Sequence, residues 1–133
     1  MKKVFLSAAI VTTIILSGCK NEVKKTETTV ETVSDLAMTE TSFGVRGNCE
    51  MCKITIEKAA KSIEGVSNAN WDVEKKYIDI SFDASKTDAL EIHKAIAASG
   101  YDTEKVNANA DAYNALPSCC KYDHEMVMNT SVE

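Results

Sequence analysis

Cys49 and Cys52 stand three residues apart in the run Gly47-Asn48-Cys49-Glu50-Met51-Cys52-Lys53. If a helix begins there, two thiols at that spacing are neighbours on one turn. The unpaired first-turn amides and the positive end of the macrodipole then favour thiolate over thiol. Two adjacent soft anions form a clamp for a soft cation such as Cu(I), Hg(II), Zn(II) or Cd(II). Two sulfurs alone suit digonal Cu(I) or Hg(II), whereas tetrahedral Zn(II) asks for four ligands. The rival chemistry for Cys-x-x-Cys is disulfide exchange. That reading usually goes with a thioredoxin-like setting and an active-site proline, and the one proline, Pro117, lies far from the motif. The expected chemistry is metal binding, not enzymatic turnover. A thiol–disulfide protein using Cys49/Cys52, with Cys119/Cys120 as a resolving pair, is the alternative.

A second sulfur pair closes the chain, in Ser118-Cys119-Cys120-Lys121-Tyr122. Three readings compete for it. One of the two thiols adds a third sulfur to the clamp, the pair enters a disulfide (with Cys49 or Cys52, or a vicinal one), or it is a separate site. Adjacent side chains of an extended segment point opposite ways, so both reach one ion only through a tight turn. The favoured reading is one auxiliary ligand. Beyond it, His124, Met126 and Met128 offer an imidazole and two thioethers, weak candidate ligands for Cu(I). The simpler reading of that stretch is a solvated tail.

The surrounding periodicity supplies a scaffold. Phe43 and Val45 alternate with polar neighbours in a first strand, Thr41 to Arg46. Cys52, Ile56, Ala59, Ala60 and Ile63 make the stripe of a helix whose Glu57, Lys58, Lys61 and Glu64 face water, and Gly65 is placed to end it. Ala69, Trp71 and Val73, then Ile78, Ile80 and Phe82, alternate in two strands joined by a turn at Glu74-Lys75-Lys76. Ser85 and Asp88 read as a capping box for a second helix bearing Ala89, Ile92, Ala95 and Ile96, ended by Gly100. His93 reads as a solvated residue on that helix. Tyr101 to Val106 reads as a weaker fourth strand. The order βαββαβ is the α+β, ferredoxin-like arrangement: one antiparallel sheet with two helices on one face. Ala108 to Leu116 predicts a helical turn or two before Pro117.

The first 40 residues read as delivery and tether. Met1-Lys2-Lys3 is basic, and Val4 to Leu16 is an apolar run of signal-peptide length, short for a spanning helix. It ends in Leu16-Ser17-Gly18-Cys19, which resembles the lipobox of bacterial lipoproteins. That resemblance implies lipidation of Cys19 and export to a bacterial membrane, at the periplasmic or outer-membrane face. Lys20 to Glu40 is rich in Thr, Glu and Lys without period, a disordered tether. The division is then 1–19 signal peptide, 20–40 tether, 41–107 folded domain and 108–133 extension. With 15 basic and 20 acidic side chains the formal charge is −5, and no basic stripe suggests nucleic acid as a partner. An exported dithiol also faces an oxidising compartment, where bound metal or a reducing partner must keep it open.

Val45-x-Gly47-x-Cys49-x-x-Cys52, then Ile56-Glu57-x-Ala59, Gly65-Val66 and Gly100-Tyr101, resembles the heavy-metal-associated domain family. Its members include copper chaperones, the N-terminal modules of copper P-type ATPases and the periplasmic mercury-binding protein. The resemblance implies Cu(I) as the commonest cargo, or Hg(II) in the mercury variant, handed to an efflux pump, transporter or acceptor metalloprotein. It also implies that Tyr101 lies close to the metal without binding it. The family usually has Met-Thr before the first cysteine, with the methionine beneath the loop. Here Gly47-Asn48 stands there, and Met51 lies between the thiols, a candidate neighbour of the ion.

Overall fold

The computed structural model describes residues 38–130. Cys19, the apolar run before it and residues 20–37 of the expected tether lie outside the described residues. Three strands form one antiparallel sheet: β1 (Met38–Gly44), β2 (Val66–Asp72) and β3 (Tyr77–Asp83), in the order β1-β3-β2. β1 starts three residues inside the segment assigned to the tether. Phe43 pairs with Ile78 and Thr41 with Ile80, while Trp71 and Ala69 face the same two residues from β2. Period-two alternation sends Phe43, Ala69, Trp71, Ile78, Ile80 and Phe82 to one face and leaves Asn68, Asn70 and Asp79 on the other.

Helices α1 (Glu50–Lys61) and α2 (Ala89–Ala98) cover the apolar face. Cys52, Ile56 and Ala60 of α1 meet Ile92 and Ile96 of α2 in a single core with the sheet. Gly100, at φ +98°, follows Ser99, the C-terminal cap of α2, whereas Gly65, also at φ +98°, does not cap α1: that helix ends at Ser62 and the glycine serves the turn into β2 three residues later. The cap of α2 falls three residues later than the expected box. Asp88 accepts from the Glu91 amide at 3.0 Å, while Ser85 turns back to Asp83 at 2.6 Å. Asp is as good an N-cap as Ser, and here it lies one residue before the first apolar position.

Two expectations are corrected. Tyr101 to Val106 is not a strand: one bridge joins Val45 to Thr103, flanked by Arg46 N–H to Asp102 O (2.9 Å) and Glu104 N–H to Gly44 O (3.0 Å). The Thr103 hydroxyl accepts from the Val106 amide at 2.9 Å and donates to the Val106 carbonyl at 3.1 Å. That local pairing turns the chain where a ladder would continue.

His93 is buried, not solvated. Its ring stacks on Phe43 with centroids 3.6 Å apart, and Nδ1 meets the Thr103 hydroxyl at 2.8 Å. Burial drops its pKa from 6.5 to about 4. Between those values the unfolded chain holds a proton that the folded one refuses. Stability is therefore full above pH 6.5, falls as the pH drops towards 4 and levels off below it. The loss should be on the order of 3 kcal/mol. Urea midpoints measured across that range should show this slope, and His93→Gln should flatten it.

Candidate metal centre

The loop between β1 and α1 carries the thiols. Gly47 is wedged there by close approach: a Cβ would lie 3.0 Å from the Trp71 ring and 3.1 Å from Cys52 Cβ. The indole thus lies beneath the loop, anchored by Nε1–H to the Val45 carbonyl at 3.0 Å. It supplies the apolar floor of the loop.

Cys49 is the N-cap residue of α1 and Cys52 lies in its first turn. Their sulfurs are 3.7 Å apart. The Asn48 amide donates to Cys52 Sγ at 3.3 Å. Cys49 forms no cap hydrogen bond of good geometry, yet it sits over the first-turn amides. The Cys52 amide, chiefly, draws its pKa below the ordinary thiol range against the opposing effect of burial. Cys52 is fully buried and Cys49 partly exposed.

The C-terminal extension returns to this loop. Helix α3 (Ala110–Ala115), capped by Asn109 accepting from the Ala112 amide at 3.0 Å, ends before Pro117. A 3₁₀ turn over Ser118–Cys120 follows. That turn brings the adjacent sulfurs of Cys119 and Cys120 to the same side, 3.9 Å apart. Cys49, Cys119 and Cys120 place their sulfurs all within 4.8 Å of one another. Cys119 is exposed and lies 3.9 Å from the Met51 sulfur; Cys120 is buried. Burial, reinforced by neighbouring Cys52, pushes the Cys120 thiol up to about 12. Among the described residues, all four cysteines are free of disulfide bonds.

Tyr101 is fully buried, and its hydroxyl has no hydrogen-bond partner among the described residues. Burial, then the nearby Cys52 and Cys120 sulfurs, hold the phenol protonated well above its usual range. It is a donor facing two thiols.

The expected solvated tail is instead fastened down. Tyr122, buried, accepts from the Asp102 amide at 2.8 Å and donates to the Gly100 carbonyl at 3.0 Å. The Tyr113 hydroxyl donates to the Tyr122 carbonyl at 2.6 Å. Asn48 Nδ2 donates to the Lys121 carbonyl at 2.8 Å, and Arg46 Nε to the Met126 carbonyl at 2.7 Å. The weak candidates are thereby occupied. His124 Nδ1 lies 2.6 Å from Asp102 Oδ2 with its ring against Tyr113, and Met126 packs on the core. Met128 lies against Gly44. Among the described residues, the cluster of Cys49, Cys119 and Cys120 includes no histidine, and the methionine sulfur beside Cys119 is that of Met51. Asp102 serves as the post. Burial would raise its carboxyl, but the Ala108 amide, His124 and Arg46 together hold it low. Arg46, Asn48, Asp102 and Tyr122 carried no signal in the sequence, save that Asn48 departs from the family pattern.

The heavy-metal-associated domain family matches residues 47–102. Copper chaperone CopZ of Bacillus subtilis (strain 168) is 33% identical over 69 residues, 51% of this chain and 100% of its own length. The mercuric transport protein periplasmic component of Pseudomonas aeruginosa is 38% identical over 53 residues, 40% of this chain, and the match spans 58% of that relative. The solved structure of oxidized MerP from Ralstonia metallidurans CH34 is 33% identical, covers 51% of this chain and 96% of its own, and has a TM-score of 0.49. With a relative matched along its whole length and the thiol loop inside the matched region, this chain belongs to the heavy-metal-associated domain family.

Proposed function

We propose that this protein is an extracytoplasmic carrier that captures Cu(I) and hands it to an efflux pump, a transporter or an acceptor metalloprotein. The observation that carries the reading is the pair of sulfurs 3.7 Å apart at the start of α1, one buried and one reachable. An incoming thiolate attacks the ion from the Cys49 side, and ligands then exchange one at a time while Cys52 holds on. The likeness to a copper chaperone supports Cu(I), and the likeness to a mercuric transport component supports Hg(II) as the variant cargo. Zn(II) and Cd(II) fit a two-sulfur seat less well. The signal-like start and Cys19 support export and lipid anchoring.

Anaerobic titration of the reduced protein tests the metal reading. Thiolate-to-copper absorbance should rise to a sharp end point with Cu(I), and the loaded protein should pass its ion to a second dithiol protein. A protein that shows no such absorbance, yet reduces disulfides catalytically, would be a redox dithiol instead. Mass spectrometry of the chain from its own cells should find lipid on Cys19; an unmodified Cys19 overturns the anchor.

A further inference from the structure

We propose that the C-terminal strap completes the metal site: Cys119 and Cys120 both join Cys49 in a three-sulfur seat for a soft d10 ion, closed over the two-sulfur clamp. This rests on the reading of Cys49 and Cys52 as ligands and adds to it a second coordination state.

The geometry suits three sulfurs. A bond of about 2.3 Å to thiolate puts the sulfurs of a trigonal site about 4.0 Å apart. Cys119 and Cys120 stand 3.9 Å apart, and Cys49 closes a triangle with no edge above 4.8 Å. Vicinal cysteines reach a common ion only through a tight turn, and the 3₁₀ turn over Ser118–Cys120 is that turn. The strap is anchored at the clamp itself, through Asn48 to Lys121 O and Arg46 to Met126 O. A second observation points the same way. The buried Tyr101 hydroxyl makes no hydrogen bond of good geometry among the described residues, and the groups it lies against are the Cys52 and Cys120 sulfurs. A buried donor of that kind is costly unless an acceptor arrives, and a thiolate holding a metal is one.

Cys49 belongs to both sulfur sets, so an ion can pass between them without leaving the protein. Closing breaks the bond to Cys52 and forms bonds to Cys119 and Cys120. The two strap thiols release two protons; Cys52 takes up one and solvent the other. The ion keeps its oxidation state. Opening reverses each step and presents the ion on Cys49 and Cys52 to an acceptor. The strap is thus a cover that a partner must lift.

The test uses the full reduced chain loaded with one equivalent of Cu(I), read by X-ray absorption and by the rate of copper loss to a chromophoric chelator. Wild type should show three sulfurs at about 2.3 Å. Cys119→Ser, at an exposed position that leaves the core intact, should show two and lose copper faster by about tenfold or more. Cys119→Ser/Cys120→Ser should do the same. Two sulfurs in wild type, or an unchanged count and rate in Cys119→Ser, overturns the closed seat while leaving the carrier reading standing. Cys49→Ser/Cys52→Ser separates the two failures: if that variant keeps wild-type copper affinity, the clamp itself is wrong and the closed seat falls with it.

Discussion

Cys49→Ser is expected to lower Cu(I) affinity by two to three orders of magnitude or more. A four-ligand structural site binds Zn(II) with about 10–16 kcal/mol, roughly 2.5–4 kcal/mol per ligand, and each 1.4 kcal/mol is tenfold. A hydroxyl is a hard donor and does not replace a thiolate on a soft ion. The side chain is partly exposed and makes no cap hydrogen bond, so the fold should survive the change. Cys49 also lies near both Cys52 and the strap pair. Its loss should therefore exceed that of Cys52→Ser, which leaves the Cys49–Cys119–Cys120 triangle whole. Competition against a chromophoric Cu(I) chelator reads both variants. Equal affinity for Cys49→Ser and wild type would refute the clamp.

Trp71→Ala should cost the most stability, about 3–5 kcal/mol, or a fall in Tm of roughly 15–30 °C. The indole is fully buried, backs Gly47 and donates to the Val45 carbonyl. Its backbone is tied to α1, since its amide donates to Glu57 Oε1 at 2.9 Å and its carbonyl accepts from Lys53. Removing the ring leaves a cavity under the thiol loop and an unpaired carbonyl. Copper affinity should fall as well, because the loop loses its floor. Trp71→Phe keeps most of the packing and loses the indole hydrogen bond, so its cost should be smaller, about 1–3 kcal/mol. Thermal melts by circular dichroism distinguish the two. A melting point in Trp71→Ala within a few degrees of wild type would show that the loop does not depend on the indole.

Short-range features were legible in the chain. The apolar stripe of α1, the alternation of β2 and β3 and the end of α2 at Gly100 each follow from patterns of a few residues. Where a side chain offered the backbone an alternative partner, pattern reading failed. Thr103 turns the chain with its own hydroxyl and leaves one bridge where a fourth strand was expected. Asp88, not Ser85, caps α2, since both residues make good caps and only packing chooses between them. His93 fits a helix flank by type, and its burial depends on Phe43 and Thr103 arriving from other elements.

The amino-acid sequence by itself determined the two-thiol motif and the frame that holds it, because a Cys-x-x-Cys at a helix start is placed by the geometry of one turn. Only the tertiary structure decided that the strap sulfurs meet Cys49 some 70 residues earlier in the chain. That meeting depends on the whole path: α3, the turn after Pro117, Tyr122 bound between Asp102 and Gly100, and Asn48 holding Lys121. No spacing rule reports such a path, because each of its links joins residues far apart along the chain and forms only once the core has packed.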